Sequence, residues 1–258
     1  MKKIAFYVNH DKLGADDARV RLAHLAESMG MEISESAPEA VVVLGGDGTM
    51  LAALHAYPGV PLLGLNLGSL GYLAGVEFPR FEESIRALRG DHFTISNRTA
   101  LSVCGQIALN DVVISRGSSR HMAVIELSVD GSLATRFFAD GLVIATPTGS
   151  TAYSLAAGGP ILMPSSESFV VTPVCPHSLA SRPLVVRDTA RFTLRQAPRR
   201  GTEELDVFAD GVSVTRLKAG ESVSVSKAEE SVPLIQMADY DPFKVLNRKL
   251  GWSGTALG

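Results

Sequence analysis

Residues 1 to 92 alternate short, fully apolar runs with longer stretches that are apolar at every third or fourth position. Ile4 to Val8, Val41 to Leu44 and Pro61 to Asn66 are runs of the first kind, and each reads as a strand buried on both faces. Ala18, Leu22, Leu25, Ala26 and Met29 form one stripe of a helix stopped by Gly30; Phe81, Ile85 and Leu88 do the same ahead of Gly90. Strand and helix in alternation predict a parallel sheet covered by helices.

Beyond about residue 92 the period shortens to two. Ile125, Leu127 and Val129 alternate with Glu126 and Ser128 before the turn pair Asp130-Gly131. Similar runs recur at Leu109 to Ile114, Leu142 to Ala145, Phe192 to Arg195, Leu205 to Phe208 and Val223 to Val225, with a second turn pair at Asp210-Gly211. This pattern predicts an antiparallel domain of two layered sheets. Pro242, Phe243, Val245, Leu246 and Leu250 suggest a short amphipathic helix running to Trp252. Left alone it would expose apolar surface, so it is expected to pack back on the first domain. The expected division is an α/β domain over residues 1–92, joined by 241–258, and a β domain over 93–240.

The length of 258 residues suits two domains, and a net charge of -3 argues against a broad basic face for nucleic acid or an anionic bilayer. Neither the N-terminal apolar run, ended by Asn9 to Lys12, nor any later one has the length of a signal core or membrane span. Cys104 and Cys175 make no disulfide framework, the six histidines make no zinc-type spacing, and a reducing cytoplasm is the expected compartment. A small-molecule ligand fits this balance best.

The first candidate chemistry follows the strand Val41 to Leu44, where Gly45, Gly46 and Gly48 enclose Asp47 ahead of Thr49. Glycines there would permit φ values that other residues resist and would let an anion reach the backbone N–H groups, beside a helix opened by Thr49. A plain βα turn is the bland alternative, but an acid enclosed by glycines favours phosphate. A second glycine-rich segment, Asn66 to Leu73, follows the next strand and so emerges at the same carboxyl edge. Tyr72 offers a ring and hydroxyl to a base or ribose, or simply fills core. The run Asp140 to Tyr153 places Thr146, Thr148, Ser150 and Thr151 within six positions, with Ala152 small enough to admit a flat ring. Helix capping by Ser150 or Thr151 is the competing reading. Asn110-Asp111 supplies an amide and a carboxylate suited to ribose hydroxyls, although such a pair is commonly a turn.

Together Gly45 to Thr49, Asn66 to Leu73, Asn110-Asp111, Asp140 to Tyr153, Pro176 to Leu179 with Arg182-Pro183, and Asp210-Gly211 resemble the NAD kinase family in order and over nearly the whole chain. The first motif alone also resembles diacylglycerol and sphingosine kinases, and phosphofructokinases carry a close variant; a lipid kinase or a noncatalytic NAD(P) sensor are the alternatives. The resemblance implies a Rossmann-like α/β domain, a C-terminal β-sandwich and a returning C-terminal helix. It further implies transfer from ATP or polyphosphate to the adenosine 2'-hydroxyl of NAD, a divalent metal such as Mg²⁺ without a fixed protein cage, and a homodimer or homotetramer. By the same likeness Asp47 is the catalytic carboxylate. Gly45, Gly46, Gly48, Thr49, Asn66 and Gly68 would hold the donor, and Tyr72, Leu73, Asn110, Asp111, Asp140, Thr148, Thr151, Ala152, Tyr153 and His177 would hold NAD. Asp111 stands where the family commonly has Glu, losing roughly 1.5 Å of reach, and Tyr72 where it usually has Phe. No Lys or Arg occurs from Pro38 through Pro79, so backbone N–H groups and magnesium are expected to neutralise the phosphates, aided by Arg182 or Arg120.

Overall fold

The computed structural model describes residues 1–68, 71–119, 121–197 and 204–251. It separates into two compact units, Met1–Asn97 with the segment from Val232 on, and Arg98–Ser231.

In the first unit the strands run in the order Glu32–Ile33, Lys3–Val8, Ala40–Gly45, Leu62–Asn66, Val232–Met237 and Phe93–Arg98, with Val76–Glu77 pairing beside Leu62–Asn66. The pairings among Lys3–Val8, Ala40–Gly45, Leu62–Asn66 and Val232–Met237 are parallel. Ala40–Gly45 and Leu62–Asn66 are buried at every position, as central strands covered on both faces must be. The helices Ala15–Ser28 and Phe81–Arg89 set Leu22, Phe81 and Ile85 into a core shared with Ile4, Val42 and Leu63. Val232–Met237 had been expected in the β domain; its pairing with Leu62–Asn66 places it here instead. The C-terminal helix Pro242–Leu250 belongs to the same unit and bonds it through Arg248 Nη2 to Glu77 Oε2 at 2.6 Å. Asp241 caps its start by accepting the N–H groups of Phe243 and Lys244, and Gly251 ends it at φ 59. Trp252 lies outside the described residues.

The second unit contains two six-stranded sheets among the described residues. One includes Ala123–Val129, Phe192–Gln196 and Ser222–Lys227; the other includes Asp111–Ser115, Gly141–Ala145, Ser168–Val174 and Leu205–Ala209. Apolar residues from both, among them Ile125, Phe192, Ile144 and Phe169, form one core, with the Phe169 and Phe192 rings 6.3 Å apart. A shared interior between two sheets is a sandwich. Both turn pairs take positive φ at both residues, Asp130 and Gly131 at 50° and 82°, Asp210 and Gly211 at 47° and 80°, as tight hairpins require.

Candidate active site

The glycine-enclosed acid sits where the buried strand Ala40–Gly45 passes into the helix Asp47–Ala56. The helix begins at Asp47 with Gly46 as its cap, two residues earlier than the pattern suggested, and Thr49 occupies its first turn. There Thr49 Oγ1 accepts the Gly46 N–H at 3.3 Å and meets the Asn9 amide at 3.4 Å. None of Gly45, Gly46 or Gly48 has positive φ, so their role is spatial and not the backbone freedom anticipated from the sequence. A Cβ on Gly45 would clash with the Thr49 side chain, whereas nothing lies within 4 Å of a Cβ built on Gly46 or Gly48. The backbone face over these two glycines is therefore accessible to a ligand.

Asp47 itself is held by the second glycine segment. Its Oδ2 accepts the Tyr72 N–H at 2.9 Å, and its Oδ1 accepts those of Leu73 and Ala74 at 3.0 and 3.2 Å. A Cβ on Gly71 would run into Oδ1, so glycine at 71 lets the carboxylate seat against this backbone. Asn66, buried, bonds the Gly68 N–H at 2.9 Å, and Leu67 N–H reaches Gly45 O at 3.2 Å, tying the two turns together. Ser69 and Leu70 lie outside the described residues.

Two lysines supply charge near this acid. Lys249 of the C-terminal helix brings Nζ to 4.0 Å from Asp47 Oδ2 and 5.0 Å from the centre of the Tyr72 ring. Lys12 Nζ lies 3.7 Å from a Cβ built on Gly68. Arg182 instead donates to the carbonyl oxygens of Leu179 and Ser181, and Arg120 lies outside the described residues. Asn9 and Lys12 were legible in principle, since they follow a strand at the same carboxyl edge. Lys249 is remote in sequence and carries no local signal. The Tyr72 hydroxyl is buried without a hydrogen-bond partner among the described residues, and burial, then Asp47, pushes its pKa up.

The other predicted residues lie in the second unit. Asp210 accepts the N–H groups of Leu109, Asn110 and Asp111 at 2.7, 2.8 and 3.1 Å, clamping the start of the strand Asp111–Ser115. Gly149 stacks directly on this segment, because a Cβ there would strike the Asn110 carbonyl. Asp111 is 6 % exposed, and burial, reinforced by Asp210, lifts its carboxyl to about 7.

The hydroxyl-rich run is mostly committed to its own turn. Thr146 Oγ1 donates to Leu109 O at 2.5 Å, Ser150 Oγ to Pro147 O at 2.7 Å, and Thr151 Oγ1 to Thr148 O at 3.1 Å. Neither Ser150 nor Thr151 caps a helix; the caps are Thr148 and Ala152, without side-chain bonds. Ala152 and Tyr153 remain exposed at the surface of this turn, and Thr148 is buried within it. Asp140 pairs with Arg116 Nε at 2.6 Å, and exposed His177 is anchored by its N–H to Phe138 O at 2.8 Å. The structure thus brings Asp47 together with Gly45, Gly46, Gly48, Thr49, Asn66, Gly68, Tyr72 and Leu73 in one unit. It brings Asn110 and Asp111 together with the turn through Gly149 in the other.

Residues 4–93 match the model of the ATP-NAD kinase N-terminal domain, and residues 109–237 match that of the ATP-NAD kinase C-terminal domain. The chain belongs to the ATP-NAD kinase family. The NAD kinase of Syntrophotalea carbinolica is 42 % identical over 82 % of this chain and 78 % of its own length. That of Citrifermentans bemidjiense is 43 % identical over 91 % and 85 %. Yeast NADH kinase, solved with NADH, shares the fold at a TM-score of 0.86 and 24 % identity, over 99 % of this chain and 89 % of that one. The Archaeoglobus fulgidus NAD kinase solved with ATP gives 0.79 at 23 %, over 97 % and 98 %. Those two likenesses speak for the fold alone; the family models and the bacterial relatives establish membership.

Proposed function

We propose that this protein transfers a phosphoryl group from ATP or polyphosphate to the adenosine 2'-hydroxyl of NAD, producing NADP, with Asp47 as the acceptor of the hydroxyl proton. The observation that carries the role of Asp47 is its hydrogen-bond pattern. Of about four lone-pair sites on a carboxylate, two on Oδ1 are filled by Leu73 and Ala74, and one on Oδ2 by Tyr72. Among the described residues Oδ2 keeps one acceptor site, oriented by three backbone bonds, for the substrate hydroxyl. As the hydroxyl oxygen bonds to phosphorus and the donor's bridging oxygen leaves with its electron pair, the proton passes to Oδ2. In a loose phosphoryl transfer that passage comes late, so a weak base suffices.

The Gly48 backbone N–H in the first turn of the helix, with Lys249, neutralises charge on the transferred phosphoryl group. Among the described residues no three His, Cys, Asp or Glu side chains converge on a metal site. Mg²⁺ bound through the donor's phosphates would supply further charge neutralisation there. Asn110, Asp111 and Tyr153 hold the coenzyme, the first two through ribose hydroxyls and the third through its exposed ring.

We also infer a cytoplasmic homo-oligomer. Cys104 and Cys175 are free and exposed, as suits a reducing compartment, and Leu179 and Leu184 present apolar surface on the second unit. No helix among the described residues is long and apolar enough to cross a membrane. The deciding experiment measures NADP formed from NAD, ATP and magnesium. Asp47→Asn is expected to lower kcat by about 10² to 10⁴. An inactive native protein, or an unimpaired variant, refutes the assignment.

A further inference from the structure

Asn110 and Asp111 stand where the chain enters the strand Asp111–Ser115, and their backbone is held from two directions. On one side is the hydroxyl-rich turn. The Thr146 N–H donates to Asn110 O at 2.9 Å, Thr146 Oγ1 donates to Leu109 O at 2.5 Å, and a Cβ on Gly149 would meet Asn110 O at 1.9 Å. On the other side is Asp210. The strand Leu205–Ala209 runs antiparallel beside Asp111–Ser115, and the Asp210 N–H continues the ladder by donating to Asp111 O at 3.0 Å. Its carboxylate then reaches further: Oδ2 accepts the Leu109 N–H, and Oδ1 accepts those of Asn110 and Asp111.

Asp210 and Gly211 both take left-handed φ, 47° and 80°, so the chain reverses tightly enough to turn this carboxylate back on the neighbouring segment. The hairpin itself would be served as well by asparagine; the negative charge is explained by the three N–H groups it accepts, since charge-assisted bonds are the stronger kind. The side chains on the pinned segment are by contrast uncommitted. Among the described residues neither the Asn110 amide nor the Asp111 carboxylate has a hydrogen-bond partner, although Asp111 is only 6 % exposed. Leaving a buried carboxylate unpartnered is costly, and a backbone held this firmly keeps it in place for a ligand. We propose that Asp210 is the positioning residue of the coenzyme site: by fixing the backbone from Leu109 to Asp111 it sets the geometry in which Asn110 and Asp111 bind NAD. The proposal rests on the kinase reading given above and names the residue behind two of its contacts.

The test is a thermodynamic cycle on the full chain, read by calorimetric titration with NAD and by steady-state kinetics. Asp210→Asn suits the left-handed turn, but its amide offers one acceptor oxygen and turns an NH₂ group toward an N–H donor. NAD should bind about tenfold more weakly and KM for NAD should rise in step, whereas kcat at saturating NAD and KM for ATP stay within about twofold. Asp210→Gly, equally at ease in the turn and lacking the carboxylate, should weaken NAD further; it supplies the measurement should Asp210→Asn not fold. In a chain already carrying Asn110→Ala and Asp111→Ala, adding Asp210→Asn should change NAD affinity by less than about twofold, because the groups it places are gone. Unchanged NAD affinity in a folded variant, a loss that falls on kcat and KM for ATP as well, or an effect undiminished in the Asn110 and Asp111 background overturns the proposal. NADP formation separates the two readings. Turnover that is indifferent to Asp210 removes the positioning role and leaves the kinase; NAD binding that depends on Asp210 without turnover removes the kinase and leaves the role.

Discussion

Asp47 is at once a structural latch and the proposed base, and the glycines around it separate these roles. Gly71 is required by the latch, since any side chain there displaces the carboxylate from the N–H groups of Tyr72 to Ala74. Gly71→Ala is expected to cost at least tenfold in kcat, measured as NADP formation, while circular dichroism stays native. Gly48 lies in the first turn of a helix, takes no left-handed φ and has open space over it, so the fold alone would prefer alanine. Gly48→Ala should leave the melting temperature unchanged or higher, by up to about 1 kcal/mol of stability, yet raise KM for the donor. A variant both stable and fully active would show that no ligand approaches this backbone. Asp111 titrates in a separate way. With its folded pKa near 7 and an unfolded value near 3.9, the unfolded chain loses this proton first, so the group destabilises the fold as pH rises from about 4 to 7 and no further above it. Asp111→Asn should therefore melt higher than the native protein at pH 8. Because the ionised carboxylate is the better acceptor for ribose hydroxyls, native affinity for NAD should rise by about tenfold from pH 6 to 8. Titrations of Asp111→Asn should show that slope flattened.

At the scale of elements, the pattern of apolar residues revealed the strands that carry the site, because burial on both faces leaves a continuous run that little else produces. Ala40–Gly45 and the hairpins at Asp130-Gly131 and Asp210-Gly211 stand where that pattern and the turn chemistry put them. Less legible was the use made of polar side chains. The hydroxyls of Thr146, Ser150 and Thr151 suggest ligand donors by composition, yet Ser150 and Thr151 bond carbonyls within the turn and Thr146 bonds that of Leu109, since a tight turn pressed on Asn110 must satisfy the backbone around it first. Asp210 showed only as half of a turn pair, while its carboxylate orders three N–H groups some hundred residues away. Lys249 is likewise invisible until the helix Pro242–Leu250 sets it beside Asp47. Lys249→Met is expected to reduce kcat about tenfold with a smaller change in KM for NAD, and Lys249→Arg to restore part of the rate. Equal kcat in Lys249→Met would assign this lysine to surface solvation.

For the whole molecule, the two classes of sheet followed from the change of hydrophobic period, but the path of the chain between them did not. Val232–Met237 is apolar like any sandwich strand, and only its parallel partner Leu62–Asn66 reveals its place. The first sheet is therefore completed by a strand that lies between Leu62–Asn66 and Phe93–Arg98. Residues 98–231 expressed alone, with their own sandwich core, should melt cooperatively by circular dichroism. Residues 1–97 alone should not, because an interior strand and its hydrogen bonds are missing.

This detour imposes a sequence on biosynthesis. A nascent polypeptide can finish its sandwich while the amino-terminal layer waits with an unfilled gap, and Asp47 meets its lysine only once residue 249 has left the ribosome. Translation that stops before Val232 therefore releases a first layer with no strand in that gap, and only the helix made after it brings a lysine to the acid encountered near the beginning.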